Sequence, residues 1–380
     1  MTRIAFISDQ FFPKTSADSE QIICSLSALG DKEDVTLISA YYLSKKRVSK
    51  KELENYYQED VTFDLKFISH FFKNIRGIEK ISFAIRSAKK AKELDVELVY
   101  TRNIPIVISI LFLTSLPIIF ETFRPWPTRN ILAKWFFRKL SNSSRVIGVV
   151  LHSNFAAKSF REVGFLNEKL LIAHNAVKLD AYEIANIRAT REKFDLPFSK
   201  LIVTYSGRVS VEKGLMRIFD LAKALPEVLF LIVGSEEEGI IEKKAKKFSN
   251  IKILKWQDRK TMFNLLTASD ILYIPNSSQA REKAQNTVLP LKTFIYKASG
   301  VPIIAPNLED VAEVLTNMKT AVLVEPDDLK EELKGFKLLL NDKNLRNRIG
   351  TTAKIEMNDS TWEKRADKIK TFISERLKAL

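Results

Sequence analysis

Short apolar runs alternate with longer amphipathic segments along the whole chain. The short runs are rich in β-branched residues, which is typical of buried strands. The predicted strands are Arg3–Ser8, Val35–Ser39, Leu65–Ser69, Val96–Thr101, Pro117–Glu121, Val146–Val150, Leu170–His174, Leu201–Ser206, Leu229–Gly234, Ile251–Leu254, Ile271–Pro275, Pro302–Pro306 and Ala321–Val324. The predicted helices are Ser19–Gly30, Ile78–Leu94, Asn130–Ser141, Asn154–Val163, Leu215–Ala224, Ile240–Phe248, Arg259–Thr267, Leu291–Ala298, Asp310–Leu315, Leu329–Leu340 and Trp362–Leu377. The alternation predicts an α/β fold of parallel sheets covered by helices on both faces.

A polar stretch without a strand pattern, residues 179–200, divides this alternation into two series. The chain of 380 residues is also longer than a single core usually supports. We therefore predict two doubly wound Rossmann-like domains, residues 1–178 and 201–361, that face each other across a cleft. Ligands of such sheets bind at the carboxyl ends of the strands.

Composition and charge restrict the possible classes of binding partner but do not identify a single class. The formal charge of +15 favours an anionic partner, and nucleic acid, an anionic membrane surface and phosphorylated small molecules all qualify. No nucleic-acid-binding motif accompanies the charge, so no nucleic acid is expected. The single cysteine, Cys24, excludes an internal disulfide and fits a reducing cytoplasm. The longest apolar stretch, Ile104 to Phe120, contains Pro105 and Pro117 and is interpreted as a buried helix followed by a strand, not a membrane span.

The sharpest local feature runs from Tyr205 to Gly214. A predicted strand ends at Gly207, a short loop carries Arg208 and Lys213, and a helix begins after Gly214. Helix N-termini offer unpaired N–H groups, and two cations on the same loop add charge-assisted hydrogen bonds, so the arrangement suits a diphosphate. A solvated basic loop between a strand and a helix is the alternative interpretation.

This segment resembles the G-R…E-K-G signature that opens the nucleotide-binding domain of glycosyltransferase family 4. Further stretches resemble the family in the same order along nearly the whole chain: Ser16–Ser19, Val99–Arg102, Phe120–Glu121, Leu231–Gly234, Ala268–Leu272 with Pro275–Asn276, Pro290–Ala305 and Val324–Asp328. The resemblance implies a GT-B type fold, with a nucleotide-sugar donor in the C-terminal domain and the acceptor against the N-terminal domain. It also implies that the last helix, residues 362–380, packs back on the N-terminal domain.

The resemblance assigns roles to individual residues. Arg208 and Lys213 would hold the donor diphosphate and stabilise the leaving group, as the catalytic pair. The implied donor-binding set is Gly207, Arg208, Lys213, Gly234, Pro290, Leu291, Lys292 and Ile295. The implied acceptor-side set is Ser16, Ala17, Asp18, Arg102, Glu121 and Phe123. Such enzymes generally retain anomeric configuration and need no metal, and the nucleotide sugar is a co-substrate, so no cofactor is implied.

Two positions depart from the family pattern. Ile295 stands where a glutamate usually binds the donor ribose, and Phe123 stands where one branch has a histidine near the reacting sugar. Glu282, in the loop Ser277–Lys283, is a candidate to replace the missing acid. Two functions therefore remain open: a glycosyltransferase of surface polysaccharide or glycolipid synthesis, and a catalytically inactive relative that acts as a ligand-binding or partner subunit.

The segment Arg124–Lys139 mixes two tryptophans with five cations. Together with Lys45–Arg47 and Lys50–Lys51, it could form a face that binds an anionic membrane. We favour an ordinary helix instead, because apolar residues at helical spacing are usually core. The side chains predicted to be buried are Ile131, Leu132, Trp135 and Phe136. Because lipid-linked acceptors are common among similar glycosyltransferases, peripheral attachment of a cytoplasmic protein to the inner face of the membrane stays a hypothesis.

Overall fold

The structure of the chain, a computed structural model, describes residues 1–43, 46–70, 76–178, 186–275 and 289–380. The chain forms two compact units. The first unit contains Met1–Asn175 and Trp362–Leu380, and the second unit contains Ala176–Thr361. The positions of Lys45, the loop Ser277–Lys283 and Glu282 lie outside the described residues.

The first unit is built on a sheet of seven parallel strands in the order β3-β2-β1-β4-β5-β6-β7. The strands are β1 (Arg3–Ser8), β2 (Asp34–Tyr42), β3 (Asp64–His70), β4 (Leu98–Thr101), β5 (Ile118–Thr122), β6 (Val146–Leu151) and β7 (Leu170–Ile172). The central strands β4, β5 and β6 are buried along their whole length, as expected for a parallel sheet covered on both faces.

Six helices follow the strands of this sheet among the described residues before residue 176. They are α1 (Ala17–Gly30), α2 (Lys50–Tyr57), α3 (Arg76–Glu93), α4 (Ile104–Leu113), α5 (Ile131–Ser141) and α6 (Asn154–Glu162). Helices α3 to α6 contribute Phe83, Ile106, Phe137 and Phe160 to one apolar cluster with Phe120 of β5. These four helices therefore cover the same face of the sheet.

The second unit contains a sheet of six parallel strands in the order β10-β9-β8-β11-β12-β13. Its strands are β8 (Ile202–Ser206), β9 (Leu229–Ser235), β10 (Ile251–Lys255), β11 (Ile271–Tyr273), β12 (Ile303–Pro306) and β13 (Val322–Val324). The described helices are α7 (Ile187–Lys193), α8 (Met216–Ala224), α9 (Ile240–Ala245), α10 (Arg259–Thr267), α11 (Lys292–Ser299), α12 (Glu309–Ala312), α13 (Leu329–Asn341) and α14 (Lys343–Glu356).

The last helix, α15 (Trp362–Lys378), belongs to the first unit although it follows the second in sequence. Its Arg365 donates to Ser25 Oγ of α1 at 2.7 Å and to the His174 carbonyl at 3.1 Å. Asp367 forms a 2.6 Å ion pair with Lys32. A Cβ atom at Gly148 of β6 would lie 2.5 Å from the Phe372 ring, so a glycine there lets α15 lie close against the sheet.

The predicted α/β fold of two doubly wound, Rossmann-like domains is confirmed. Each predicted strand is present, with ends that differ by at most a few residues. The helices α2, α7 and α14 were not predicted, and α7 lies within the stretch interpreted as a linker. The helix α4 was predicted to be buried. Its last turn is not, because Phe112 is 84% exposed.

The prediction for the buried face of α5 is wrong. This helix buries Phe137, Leu140 and Ser141, whereas Ile131, Leu132 and Trp135 are 83%, 76% and 61% exposed. Phe136 is partly buried against the cluster that Phe137 enters. Apolar side chains occur around most of the helix circumference, so periodicity alone could not select the face that meets the sheet.

Candidate active site

The predicted donor-binding residues of the second unit gather at the carboxyl end of β8. This strand lies between β9 and β11. The chain adds β9 and β10 on one side of β8 and then crosses to add β11, β12 and β13 on the other side. Such a switch point opens a crevice at the carboxyl edge of a parallel sheet. The loop after β8 carries Arg208 and Lys213, and α11 begins with Lys292.

Two glycines bring the backbone of this loop against β9. Gly207 has φ 129° and Gly234 has φ 120°, a region that L-residues rarely adopt. The Gly207 amide donates to the Val233 carbonyl at 2.9 Å. A Cβ atom on Gly234 would lie 2.5 Å from the Gly207 carbonyl oxygen, so any side chain there would displace the loop.

The side chain of Lys292 lies directly beside Gly207. Its Nζ is 3.7 Å from the centroid of the Tyr205 ring, a cation–π contact, and 3.0 Å from the position of a Cβ atom on Gly207. Burial, and next the charge of Lys213, hold the pKa of the Lys292 ammonium well below its usual value. Among the described residues, no carboxylate forms an ion pair with Lys292. A bound anion would therefore favour the charged form of this ammonium.

The other two cations of the loop are open to solvent. Arg208 and Lys213 are exposed, and the Tyr205 hydroxyl donates to the Arg208 carbonyl at 2.9 Å, which fixes the start of the loop. A single 3₁₀ turn, Val211–Lys213, ends at Gly214. Three cations thus surround one short glycine-containing loop, an arrangement that can bind a phosphate or diphosphate through charge-assisted hydrogen bonds.

The position predicted to contact the ribose carries no polar group. Ile295 is partly buried on α11, where it packs against the apolar residues below the helix. Pro290 and Leu291 immediately precede this helix, and the neighbouring Leu289 amide donates to Asp310 Oδ2 at 2.8 Å. The roles of these donor-side residues toward a nucleotide stay predictions.

The first unit holds a different charged cluster at the carboxyl edge of its sheet. Glu121, at the end of β5, is 1% exposed, and its Oε1 accepts from Arg102 Nη2 at 2.8 Å, His152 Nε2 at 2.7 Å and Arg365 Nη2 at 2.6 Å. Arg102 also donates to Asp18 Oδ1 at 2.9 Å. Burial would raise the pKa of the Glu121 carboxyl, but Arg102, Arg365 and His152 together hold it well below its usual range.

His152 is the neutral member of this cluster. Burial lowers the pKa of its imidazole to about 4, and the contact with Glu121 only partly opposes that effect. With Glu121 ionised and His152 neutral, the 2.7 Å contact requires that Nε2 carry the proton. Glu121 is therefore a buried charge satisfied by protein groups, which suits a positioning role.

The remaining acceptor-side predictions lie near this cluster with different exposures. Ser16 Oγ accepts from the Ser19 amide at 3.2 Å and caps α1, whose first residue is the exposed Ala17. Asp18 is partly exposed. Phe123 is 42% exposed, with its ring 6.1 Å from that of His152.

Sequence reasoning missed three members of the cluster: His152, Arg365 and Gln21, whose Oε1 accepts from Arg102 Nη1 at 3.1 Å. One signal was present, because Arg102, Glu121 and His152 each stand at or just after the end of three consecutive strands, β4, β5 and β6. Neighbouring strand ends meet at one edge of a parallel sheet, so this spacing could have predicted the histidine. Arg365 is separated from Glu121 by 244 positions, and no local pattern relates them.

Among the described residues, no group of three or more histidine, cysteine, aspartate or glutamate side chains is arranged to hold a metal ion. No helix in the same ranges combines the length and the apolar character needed to cross a bilayer.

Comparison with known proteins supports the resemblance. Residues 186–356 match the family described as glycosyl transferases group 1. An uncharacterized protein of the cps region of Klebsiella pneumoniae is 24% identical over 183 residues, which cover 47% of this chain and 48% of that protein. The capsular polysaccharide biosynthesis glycosyltransferase CapM of Staphylococcus aureus is 22% identical over 216 residues, which cover 53% and 54%. The chain thus spans about half the length of these curated relatives.

Solved structures share the fold over the whole chain. The HepE protein of Anabaena, in complex with UDP, has a TM-score of 0.75 at 14% identity, covering 98% of this chain and 100% of that chain. Sucrose-phosphate synthase of Thermosynechococcus elongatus has a TM-score of 0.80 at 14% identity, with both chains fully covered. At these identities the likeness shows the GT-B fold.

Proposed function

We propose that this chain, with its GT-B fold and a second unit similar to group 1 glycosyl transferases, is a glycosyltransferase. It would move a sugar from a nucleoside diphosphate sugar to a glycan or lipid-linked acceptor in surface polysaccharide or glycolipid synthesis. The names of CapM and of the cps-region protein support that setting. The HepE complex makes UDP the first nucleotide to test.

The observation that carries the proposal is the cation cluster of Arg208, Lys213 and Lys292 at Gly207. When the bond between the sugar and the diphosphate breaks, negative charge develops on the leaving diphosphate. Cations fixed in advance at that position stabilise the transition state more than the ground state. Three cations can neutralise that charge without a metal ion, which is the basis for proposing a metal-independent reaction.

The first unit would bind the acceptor at the carboxyl edge of its sheet. Of the predicted acceptor-side residues, Ala17 and Phe123 are exposed, and Ser16 and Asp18 are partly exposed. Arg102 and Glu121 are engaged with each other. We propose that the last two act by positioning, since Glu121 is buried and its charge is already paired. Retention of anomeric configuration is proposed on the family resemblance alone.

Calorimetric titration with UDP, GDP and ADP tests the donor site. We expect one nucleotide to bind, and Lys213→Ala to weaken that binding at least about tenfold, because a charge-assisted contact to phosphate is lost. Lys223→Ala is the matched control, since Lys223 is an exposed lysine of the same unit at the far end of α8. Release of the nucleoside diphosphate from a nucleotide sugar in the presence of acceptor then measures transfer.

The active transferase and the inactive relative predict different results in the binding and turnover measurements. Binding that Lys213→Ala weakens, together with turnover, supports the transferase. Binding without turnover for any donor and acceptor combination favours the inactive, ligand-binding relative, which the apolar side chains of Ile295 and Phe123 motivate. A chain that binds no nucleoside diphosphate contradicts the transferase and favours the inactive relative that acts as a partner subunit.

A further inference from the structure

We propose that the exposed face of α5, defined by Ile131, Leu132 and Trp135, inserts into the interface of an anionic lipid bilayer. All three side chains are large and apolar, and none of them contributes to the core of the first unit. Trp135 lies four positions after Ile131 and three positions after Leu132, and residues at these spacings are neighbours on a helix surface. The three side chains therefore form one continuous patch.

The charge around this patch has one sign. From Thr122 to Arg161 the sequence contains no aspartate or glutamate and eight basic residues: Arg124, Arg129, Lys134, Arg138, Lys139, Arg145, Lys158 and Arg161. Four of these, Arg129, Lys134, Arg138 and Lys139, are exposed beside the patch. A basic, solvent-facing helix with an apolar face that includes tryptophan is typical of helices that lie in a bilayer interface.

Aromatic rings and cations are paired in this region. Lys139 Nζ lies 6.0 Å from the Trp135 ring centroid, and the guanidinium of Arg129 lies 5.1 Å from that of Trp126. Long basic side chains can place their charge at lipid headgroups while the rings beside them enter the acyl boundary. The pairing therefore serves an interface that is polar on one side and apolar on the other.

The patch is close to the part of the first unit that would receive the acceptor. Helix α5 follows β5, so its first turn, with Ile131 and Leu132, lies at the same carboxyl edge as Glu121. The first turns of α3, on the same face of the sheet, add the exposed Ile78 and Ile81 to this edge. A bilayer at this edge would present a lipid-linked molecule to the first unit without removing it from the membrane.

A bilayer fits this face better than a second copy of the chain. Two copies meeting through α5 would bring together like charges with no acidic residue of that segment to compensate them, which disfavours association. Anionic lipids supply the opposite charge and accept apolar side chains of any shape. The occupant we assign is therefore a membrane that contains anionic lipid.

Flotation of the full chain with vesicles tests this proposal. We expect binding to phosphatidylglycerol-containing vesicles to exceed binding to pure phosphatidylcholine vesicles by about tenfold or more at low salt, and to fall as salt rises. The triple variant Ile131→Ser/Leu132→Ser/Trp135→Ser should lose this binding. Phe112→Ser is the matched control, since Phe112 is equally exposed but lies in the last turn of α4, at the opposite edge of the sheet.

Two sets of charge variants distinguish insertion of α5 from non-specific attraction between a basic protein and an anionic membrane. Lys134→Gln/Arg138→Gln/Lys139→Gln should weaken vesicle binding about tenfold, whereas Lys223→Gln/Lys243→Gln/Lys247→Gln, in the second unit, should not. Trp135 should also shift its fluorescence to the blue on vesicles and be quenched by brominated acyl chains, a signal absent from Trp135→Phe. Circular dichroism and nucleotide titration confirm that each variant is folded, and they separate failure of this proposal from failure of the proposed function.

Three results would overturn the proposal. Equal binding by the apolar triple variant and by Phe112→Ser would show that the face does not insert. Equal effects of the two charge variants would show attraction that is spread over the whole surface. Self-association of the wild type that the apolar triple variant abolishes would make the face an interface between copies.

Discussion

The charged clusters of the two units are opposite in composition although both lie at the carboxyl edge of a parallel sheet. The first lies at the ends of β4, β5 and β6, and the second lies at the end of β8. In the first unit one buried carboxylate, Glu121, receives two guanidiniums and an imidazole. In the second unit three cations surround Gly207, and Lys292 has no carboxylate partner among the described residues.

We expect this difference to distinguish a cluster with a structural role from one that binds an anionic ligand. A buried anion with satisfied hydrogen bonds is costly to disturb, whereas cations without an anion raise the free energy of the empty site and gain most when an anion binds. Substitutions in the first cluster should therefore mainly lower stability, and substitutions in the second cluster should mainly lower nucleotide affinity.

The largest effect is expected from Glu121→Gln. Removing this charge leaves Arg365 without its carboxylate partner in a buried site and Arg102 with Asp18 alone, which should destabilise the first unit by about 3–5 kcal/mol. Because two units do not unfold as one two-state system, hydrogen–deuterium exchange of β4 to β6 is the better measurement. Nucleotide affinity should stay unchanged.

Glu363→Gln, at an exposed position of α15, is the control for this prediction. If Glu121→Gln exchanges no faster than this control but no longer turns over substrate, Glu121 acts in the reaction and the structural interpretation of the first cluster is wrong.

The next effect is a pH dependence carried by His152. The pKa of its imidazole is about 4 in the folded chain and 6.5 as the ordinary value, so between these values the unfolded state binds a proton that the folded state does not. Stability should therefore fall as the pH decreases from about 6.5 to about 4, by about 3 kcal/mol. Above pH 6.5 this contribution vanishes.

His152→Gln keeps an N–H donor toward Glu121 and removes the titration. The measurement is the difference in first-unit stability between wild type and variant across this pH range, followed by the same exchange experiment. Parallel pH curves for the two proteins would contradict the burial of a neutral imidazole in the first cluster.

In the second cluster, Lys292→Met should have opposite effects on binding and stability. Nucleotide affinity should fall about ten- to a hundredfold, since a charged hydrogen bond to phosphate is worth about 1.5–3 kcal/mol. Stability of the empty second unit should rise by up to about 1 kcal/mol, because a partly buried cation next to Lys213 is removed. Titration calorimetry and thermal unfolding without nucleotide measure the two quantities.

A loss of both affinity and stability in Lys292→Met would show that Lys292 is a structural residue. Lys223→Met serves as the control, because it removes an exposed lysine of the same unit that lies away from Gly207.

The smallest effect is expected from Ile295→Glu, which supplies the carboxylate that the family pattern has at this position. A hydrogen bond to the ribose hydroxyls should strengthen UDP binding by roughly tenfold or less, about 1 kcal/mol. The same substitution should lower the free energy of unfolding, since Ile295 packs against apolar neighbours. The comparison of UDP with 2′-deoxy-UDP isolates the effect, and an equal gain for both nucleotides would show that residue 295 does not face the ribose.

The strands could be predicted from the sequence because they are short, buried and rich in β-branched residues, so the pattern and the environment agree. The helix α2 escaped prediction because only Leu53 and Tyr57 are buried along it. In α5 the pattern was present but ambiguous, since either side of the helix could have met the sheet. Such choices depend on packing between segments that are distant in sequence.

The loop after β8 could be singled out by its local order of glycines and cations, and Lys292, which the family resemblance already placed in the donor-binding set, lies beside it. Residues 207 and 292 meet because β8 ends, and α11 begins, at the same edge of the sheet. In the first unit, Arg102 and Glu121 follow from the family resemblance, but the pairing of Glu121 with Arg365 does not. Their roles toward donor and acceptor stay predictions.

The placement of α15 has a consequence for the order of events during synthesis. The first unit needs Arg365 to complete the pairing of Glu121, yet the ribosome makes that residue only after all of residues 176–361. The second unit can therefore finish folding while the first still lacks a helix and a charge partner. Until α15 emerges, the growing chain would expose the apolar surface that this helix later covers, and chaperones that recognise such surfaces would meet it there.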